Sequence, residues 1–380
     1  MFVLLCTAAV ASMMSAPAAP APGTAEYYAA LPESVYCVEA ETGMVLFEQN
    51  ADLRRPPASM IKMMMMLVVD EGVMSGKWSY DQKIQISRLA ESMGGTQVYV
   101  RTGDSHTLGE LMAAVAVASA NDAAMAVAEG LWGGKEAYLK AMNARARELG
   151  MKDSEFNSVH GLPPSKGESF DLTTARDMAV LGRECVKHPN ILKWTSMREL
   201  VFRESDGMKQ STNKLLGVVP GCDGIKTGFI HAAGFCITAT ALRDGVRVIA
   251  VVMGDTKRGR FKSAEEALEK AFTMVRRVRP LSPGMVVGNP VPVPNGMSPS
   301  VALVARDPLE VVVKNEDAAK LQLEVTVPTT LKAPVPAGAE VGSVKLVLDG
   351  HVFGESAILT ANAIEAKGFW RRAGEKIGIL

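Results

Sequence analysis

Three short polar motifs occur in order along the chain: Ser59-Met60-Ile61-Lys62, Ser119-Ala120-Asn121 and Lys226-Thr227-Gly228. A serine hydroxyl is a poor nucleophile at neutral pH and needs a base at hydrogen-bond distance. Helical spacing puts Ser59 and Lys62 one turn apart on the same face, so Lys62 can serve as that base if its amine is uncharged. Burial and a second cation, Lys226, both disfavour the charged form and lower its pKa. Ser119 and Asn121 fall at a break between two apolar helical stretches, a corner that aims both side chains into a cleft. There Ser119 can relay a proton to a leaving amine and Asn121 can hold a substrate amide. Lys226 and Thr227 offer a cation and a hydroxyl to a carboxylate, and Gly228 lets a substrate backbone come close. The backbone NH groups of Ser59 and Phe229 form the natural pair for an oxyanion. Together these residue types describe acyl transfer through a serine ester.

Taken singly, each motif has a plainer reading. Ser59 can be a helix N-cap, Ser119 to Asn121 a capped corner, and a Lys-Thr-Gly strand end ordinary surface chemistry. A Ser-x-x-Lys match is expected about once or twice by chance in a chain of this length. Ser211-Thr212-Asn213-Lys214 is such a second match, and Ser211-x-Asn213 also imitates the middle motif. Context separates the two, because Ser59 follows Pro56-Pro57-Ala58 and opens an apolar helix, whereas Ser211 lies in a polar stretch without helical periodicity.

Several elements must position these groups. Two extended runs from Ser34 to Asn50 flank Glu41-Thr42-Gly43 as a β-hairpin, and a helix follows over Ala58 to Val73. Its four consecutive methionines, Met63 to Met66, read as core filler. Helical periodicity covers Leu108 to about Met151, with Asp122 suited to cap the stretch after the break, and returns over Thr173 to His188. Gly221 to Met253 holds three extended runs in an antiparallel meander, and a last helix spans Phe261 to Val278. Strands near both ends with helices between them predict an α/β domain whose terminal strands share one sheet. Beyond Pro280, Val, Pro and Gly dominate, with alternating runs at Leu309 to Val313, Gln322 to Val327 and Val344 to Leu348. Asp349-Gly350 then turns into Val352 to Leu359, completing a small all-β domain. The expected organisation is a leader over 1–22, a catalytic domain over 23–279, the β domain over 281–368 and a tail over 369–380.

Lys plus Arg equals Asp plus Glu at 41 each, so no global field favours nucleic acid or an anionic membrane. The uncharged start, with an apolar run from Phe2 to Val10 and Ala16-Pro17-Ala18 behind it, has the character of a secretory signal, although its first basic residue is Arg54. Export is therefore expected. Cys37, Cys185, Cys222 and Cys236 contain no C-x-x-C pair, and His106, His160, His188, His231 and His351 form no H-E-x-x-H. Neither metal nor cofactor is expected. In the tail, Trp370, Ala373, Ile377 and Leu380 share one helical face, with Arg371, Arg372 and Lys376 off it. Twelve helical residues reach only about 18 Å, so this segment can lie in a bilayer interface or dock on the β domain but does not span a membrane.

With Pro57-Ala58-Ser59, Met93-Gly94-Gly95, Ser158-Val159-His160-Gly161-Leu162, Ala175-Arg176-Asp177-Met178 and Asp223-Gly224-Ile225 added to the three motifs, the sequence resembles the penicillin-binding protein 5-like D,D-carboxypeptidases. The resemblance covers nearly the whole chain after the leader. It implies a penicillin-binding, serine β-lactamase-like domain, with helices clustered on a five-stranded antiparallel sheet, followed by a small β domain and a membrane-contacting amphipathic tail. It further implies removal of terminal D-alanine from peptidoglycan stem peptides, with β-lactams as covalent inhibitors. Ser59 would be the nucleophile and Lys62 the base, with Ser119, Asn121, Lys226, Thr227, Gly228 and Phe229 completing the site. Arg260 would grip the terminal carboxylate, with Arg258 two residues away as the other candidate. The resemblance places His160 in the loop and outside the chemistry. Phe229 stands where some relatives have His, which bears on substrate preference and deacylation. Cleavage of cross-linked peptides, β-lactamase activity and an inactive wall-binding module are the competing readings. Glu168-Ser169-Phe170-Asp171-Leu172 is a poor match to a lactamase deacylation loop.

Overall fold

A computed structural model of the chain describes residues 20–368; nearly all of the expected leader and the whole of the tail lie outside them. Five antiparallel strands form the central sheet, in the order Val45–Gln49, Ser34–Glu39, Val246–Asp255, Gly234–Arg243 and Cys222–Ile230. The N-terminal hairpin thus completes a sheet begun some 200 residues later, as the strand and helix pattern predicted.

One face of the sheet carries the helix Gly259–Phe272, which buries Ala264, Ala267, Leu268 and Ala271 against Ile237, Val248 and Val252. The other face carries a cluster of helices built around Lys62–Met74. Met63 to Met66 and Leu67 are fully buried on it, as expected of a helix that is apolar nearly all round. Around it stand Leu108–Val117, opened by a Thr107/Glu110 capping box, then Asn121–Trp132, Lys135–Glu148 and Ala175–Cys185.

Two elements differ from the sequence-based expectation. The first turn of the serine segment, Ala58–Ile61, is a 3-10 helix that becomes α-helical only at Lys62. The final helix ends at Phe272, and Val275–Leu281 is a strand paired antiparallel with Leu309–Lys314. It crosses the expected domain boundary. Arg277 on this strand reaches Glu41 and the Gly245 carbonyl on one side and Glu310 on the other. The remaining β region holds the short pair Val291–Pro292 and Ser300–Val301 and a four-stranded sheet, Leu303–Ala305, His351–Thr360, Glu340–Leu348 and Gln322–Thr326, over a core of Leu303, Val344, Leu346 and Ile358. Asp349 and Gly350, with φ of 47° and 79°, make the tight turn expected between its last two strands. Cys37, Cys185, Cys222 and Cys236 are all unpaired.

Candidate active site

The 3-10 turn brings Ser59 and Lys62 together. Side chains three residues apart eclipse one another in that geometry, and Lys62 Nζ donates to Ser59 Oγ at 2.9 Å. Two more acceptors surround the amine: Asn121 Oδ1 and the backbone carbonyl of His160, each at 2.8 Å. Lys62 has no solvent exposure. Burial first, then the positive charge of Lys226, holds its pKa well below the ordinary lysine value, while Asp171 and Asp122 oppose that shift in part. Ser59 itself is partly exposed and does not cap the helix, whose 3-10 turn starts behind Pro57 without a side-chain cap bond. The N-cap reading of Ser59 is therefore set aside.

The other two motifs converge on this pair. Ser119 is buried at the corner between two helices with φ of 61°, and Ala58, just before the nucleophile, has φ of 49°. Left-handed backbone at a non-glycine residue costs roughly 1–3 kcal/mol and persists only where the surroundings impose it. Asn121 opens the helix Asn121–Trp132; its Nδ2 donates to Gly94 O at 2.7 Å and its backbone NH to Thr96 O at 2.8 Å. Both ends of this amide are thus engaged, and its first duty here is to fix Lys62 against the 94–96 loop. Asp122, fully inside, accepts from the backbone NH of Val98, Val100 and Ala123 and so clamps that loop; the helix cap expected of it falls instead on Ala120, which makes no side-chain cap bond.

Lys226 and Thr227 are buried on the edge strand Cys222–Ile230. Lys226 Nζ donates to Thr227 O at 3.1 Å, and burial followed by the nearby Arg260 lowers its pKa to about 7. A Cβ on Gly228 would lie 2.5 Å from Pro57 O and 3.2 Å from the Ala58 side chain. The close approach this glycine permits is therefore to the serine turn itself. Phe229 is half exposed and stacks on Phe235 with ring centroids 3.9 Å apart. Arg260 is buried; its Nη1 donates to Gly228 O at 3.0 Å and Cys236 O at 3.2 Å, and its guanidinium lies over Phe235 and Phe261. Arg258 is exposed.

A fourth segment, 157–162, completes the site. Its contribution is the His160 carbonyl that accepts from Lys62, while the imidazole accepts from Leu162 NH and is pushed down to about 4 by burial and by Lys62. Buried Asp171 holds the segment, accepting from Asn157 NH at 2.6 Å, Ser158 NH at 2.8 Å and Ser158 Oγ at 2.6 Å. Gly161, at φ of 83°, lies so close to the serine turn that a Cβ would stand 2.2 Å from Ala58 O. Elsewhere, Glu71, Glu184 and His188 bring potential ligand atoms together. Arg145 sits on Glu71 at 2.7 Å and His188 turns Nδ1 to Asp70 at 2.6 Å, so a guanidinium neutralises that cluster.

A serine in contact with a buried, depressed lysine, between a helical cluster and the edge strand of an antiparallel sheet, defines a serine acyl-transfer hydrolase. Residues 23–257 match the D-alanyl-D-alanine carboxypeptidase family and residues 276–366 the penicillin-binding protein 5 C-terminal domain. The chain belongs to that carboxypeptidase family and is a serine-type D-alanyl-D-alanine carboxypeptidase. It is 34% identical to D-alanyl-D-alanine carboxypeptidase DacF of Bacillus subtilis over 342 residues, 89% of this chain and 87% of that protein. It is 28% identical to DacA of Escherichia coli over 359 residues, 92% and 87% of the two chains. Penicillin-binding protein 5 from Haemophilus influenzae superposes with a TM-score of 0.66 at 26% identity, over 87% of this chain and 97% of that one. Penicillin-binding protein D2 from Listeria monocytogenes, solved in an ampicillin-bound form, is 34% identical over 63% of this chain and 96% of that one, with a TM-score of 0.57.

Proposed function

We propose that Ser59 carries the acyl group and that Lys62 is its base. Neutral Lys62 accepts the Ser59 proton as Oγ attacks the carbonyl of the terminal D-alanyl-D-alanine bond of a peptidoglycan stem peptide. The C–N bond breaks as the proton taken up by Lys62 is relayed through Ser119 to the departing amine, which returns Lys62 to its neutral form, and free D-alanine leaves. Water, deprotonated by Lys62, then hydrolyses the ester and restores the serine. Lys226 and Thr227 receive the terminal carboxylate, and the NH groups of Ser59 and Phe229 receive the oxyanion. Asn121 orients Lys62. Arg260 serves the carboxylate through the edge strand and its neighbour, whose carbonyls it holds at Gly228 and Cys236 respectively, and through its positive potential.

The contact that carries this reading is the 2.9 Å approach of an unexposed Lys62 amine to Ser59 Oγ. A strained β-lactam amide presents the same bond to the same serine, so a fluorescent penicillin is expected to label the wild type and leave Ser59→Ala dark. D-alanine release from a pentapeptide is expected to vanish in parallel. A variant that keeps either activity places the nucleophile elsewhere.

Export follows from the same reading, since the substrate lies outside the cytoplasm and the chain opens with an uncharged apolar stretch closing on Ala16-Pro17-Ala18. The amphipathic segment 369–380 would hold the exported enzyme at the membrane face. Removing it is expected to shift the enzyme from pelleted membranes to the soluble fraction; retention on the membrane would refute that role. As a division of the chain we propose a catalytic domain over 23–279 and a β domain over 281–368, with the strand Val275–Leu281 lying across the boundary between them.

A further inference from the structure

Upstream of Ser59, Arg55 is shut inside the protein: 1% of it is exposed, and among the described residues it forms no ion pair. A buried cation without a counter-ion persists only where its donors are spent on fixed acceptors. Here both arms of the guanidinium meet backbone. Nη1 donates to Met253 O at 2.6 Å and Nη2 to Pro32 O at 3.0 Å. Met253 lies near the end of the strand Val246–Asp255, and Pro32 leads into the strand Ser34–Glu39 paired beside it. Room for the guanidinium comes from Gly254, with φ of 85°, because a Cβ there would stand 2.6 Å from Arg55 Cζ. The side chain thus pins its residue to the ends of two central strands.

The backbone of Arg55 carries the link to the site. Its NH and carbonyl exchange hydrogen bonds with Thr173 at 2.9 and 3.0 Å, and Leu172 makes the same exchange with Glu155 at 2.8 Å each way. The nucleophile's segment, the segment of Asp171 and the segment that leads to His160 therefore form one short ladder. Between Arg55 and the left-handed Ala58 stand only Pro56 and Pro57, whose rings lock φ and also restrict the residue in front of each. A lead-in that stiff passes a displacement at Arg55 on to Ser59. Lys62 is held separately, by Asn121 Oδ1 and His160 O, so such a displacement opens the gap between amine and hydroxyl.

We propose that Arg55 is a positioning residue for acylation: its anchor at the strand ends sets where the Ser59 hydroxyl stands relative to the Lys62 amine. The proposal rests on the reading of Ser59 and Lys62 given above and adds to it the group that fixes their distance.

Stopped-flow labelling by a fluorescent penicillin over a range of concentrations separates the first-order acylation constant from the dissociation constant of the complex that precedes it. The first-order constant does not depend on how much enzyme is folded, so general damage to the fold lowers the labelled amplitude alone. Misplacing a reacting group by about 1 Å costs about 10²-fold, and that loss is expected in Arg55→Met. The same loss is expected in Gly254→Ala, which drives the guanidinium from its place without altering Arg55. In both, the dissociation constant is expected to stay within about threefold of wild type. Arg55→Lys keeps one donor for Met253 O and is expected to lose about tenfold, while Arg54→Met, at the exposed neighbour, keeps the wild-type constant. Any folded Arg55 or Gly254 variant that acylates at the wild-type constant overturns the anchor, as does a loss that falls on the dissociation constant; Arg55→Lys decides if the others do not fold. Those outcomes leave the serine reading intact while Ser59→Ala stays dark. Labelling of Ser59→Ala overturns the serine reading and the anchor with it.

Discussion

Ser59 and Lys62 stand three residues apart, as do Ser211 and Lys214, and a residue-type search returns both. Their surroundings separate them. The Lys62 amine is shut away from water among Ser59 Oγ, Asn121 Oδ1 and His160 O, in contrast to Lys214, which is exposed and donates back to the Ser211 carbonyl at 2.9 Å. Ser211 Oγ accepts from Asn213 NH, Asn213 Nδ2 donates to Gly224 O at 3.1 Å, and Thr212 NH donates to Val117 O at 3.3 Å. The second copy is a strut. It ties the end of the helix before Ser119 to the strand that carries Lys226, and so supports two of the three segments of the first copy. Identical spacing becomes a base only where desolvation makes the amine give up its proton.

The sharpest way to break this contrast is to exchange the two serines' fates. Ser59→Ala is expected to abolish acylation by a fluorescent penicillin, a loss of at least about 10³-fold, while Ser211→Ala keeps it. Stopped-flow acylation checks this. Next in size, Lys62→Met is expected to slow acylation by about 10²- to 10⁴-fold, the usual worth of a general base. Lys214→Met, on the exposed copy, is expected to leave the rate within about twofold of wild type, because no contact to the site is lost.

The pH profile sharpens the comparison further. Lys62 must be neutral, so kcat/KM rises as pH climbs through its depressed pKa. Lys226 must stay charged to bind the carboxylate, so kcat/KM falls as pH passes about 7. A peptide whose terminal carboxylate is replaced by an amide is expected to lose that alkaline limb and keep the acid one; an unchanged limb would detach Lys226 from carboxylate binding. The smallest effect belongs to the strut. Asn213→Ala leaves the buried Gly224 carbonyl short of a donor and is expected to cost about 1–3 kcal/mol of stability in denaturant melts, with acylation reduced far less than by Lys62→Met.

The motifs, the N-terminal hairpin, the antiparallel meander and the main helices could all be read from residue type and period. What escaped has a common cause: it is backbone. The lysine's third partner is the carbonyl of His160, and a carbonyl has no residue-type signature, so the 157–162 segment was visible only through resemblance. Asp171 and Gly161 are signals that could have found it, a lone carboxylate and a glycine near Ser158, but nothing local says that they brace the serine turn. Left-handed backbone at Ala58 and Ser119 is likewise invisible, because neither residue type favours it. Val275 and Val278, three residues apart, read as the end of the helix begun at Phe261, whereas they pair regularly with Lys314 and Val311 on a strand whose register slips only beyond Val278.

That strand has a practical consequence for cutting the protein in two. A C-terminal fragment starting at 281 would leave Leu309–Lys314 with a bare row of amide and carbonyl groups where Val275–Leu281 had been, and Val311 and Val313 beside it. Such an open margin invites pairing between copies. Division between Phe272 and Val275 would keep the ladder whole, at the expense of Arg277's grip on Glu41 and Gly245.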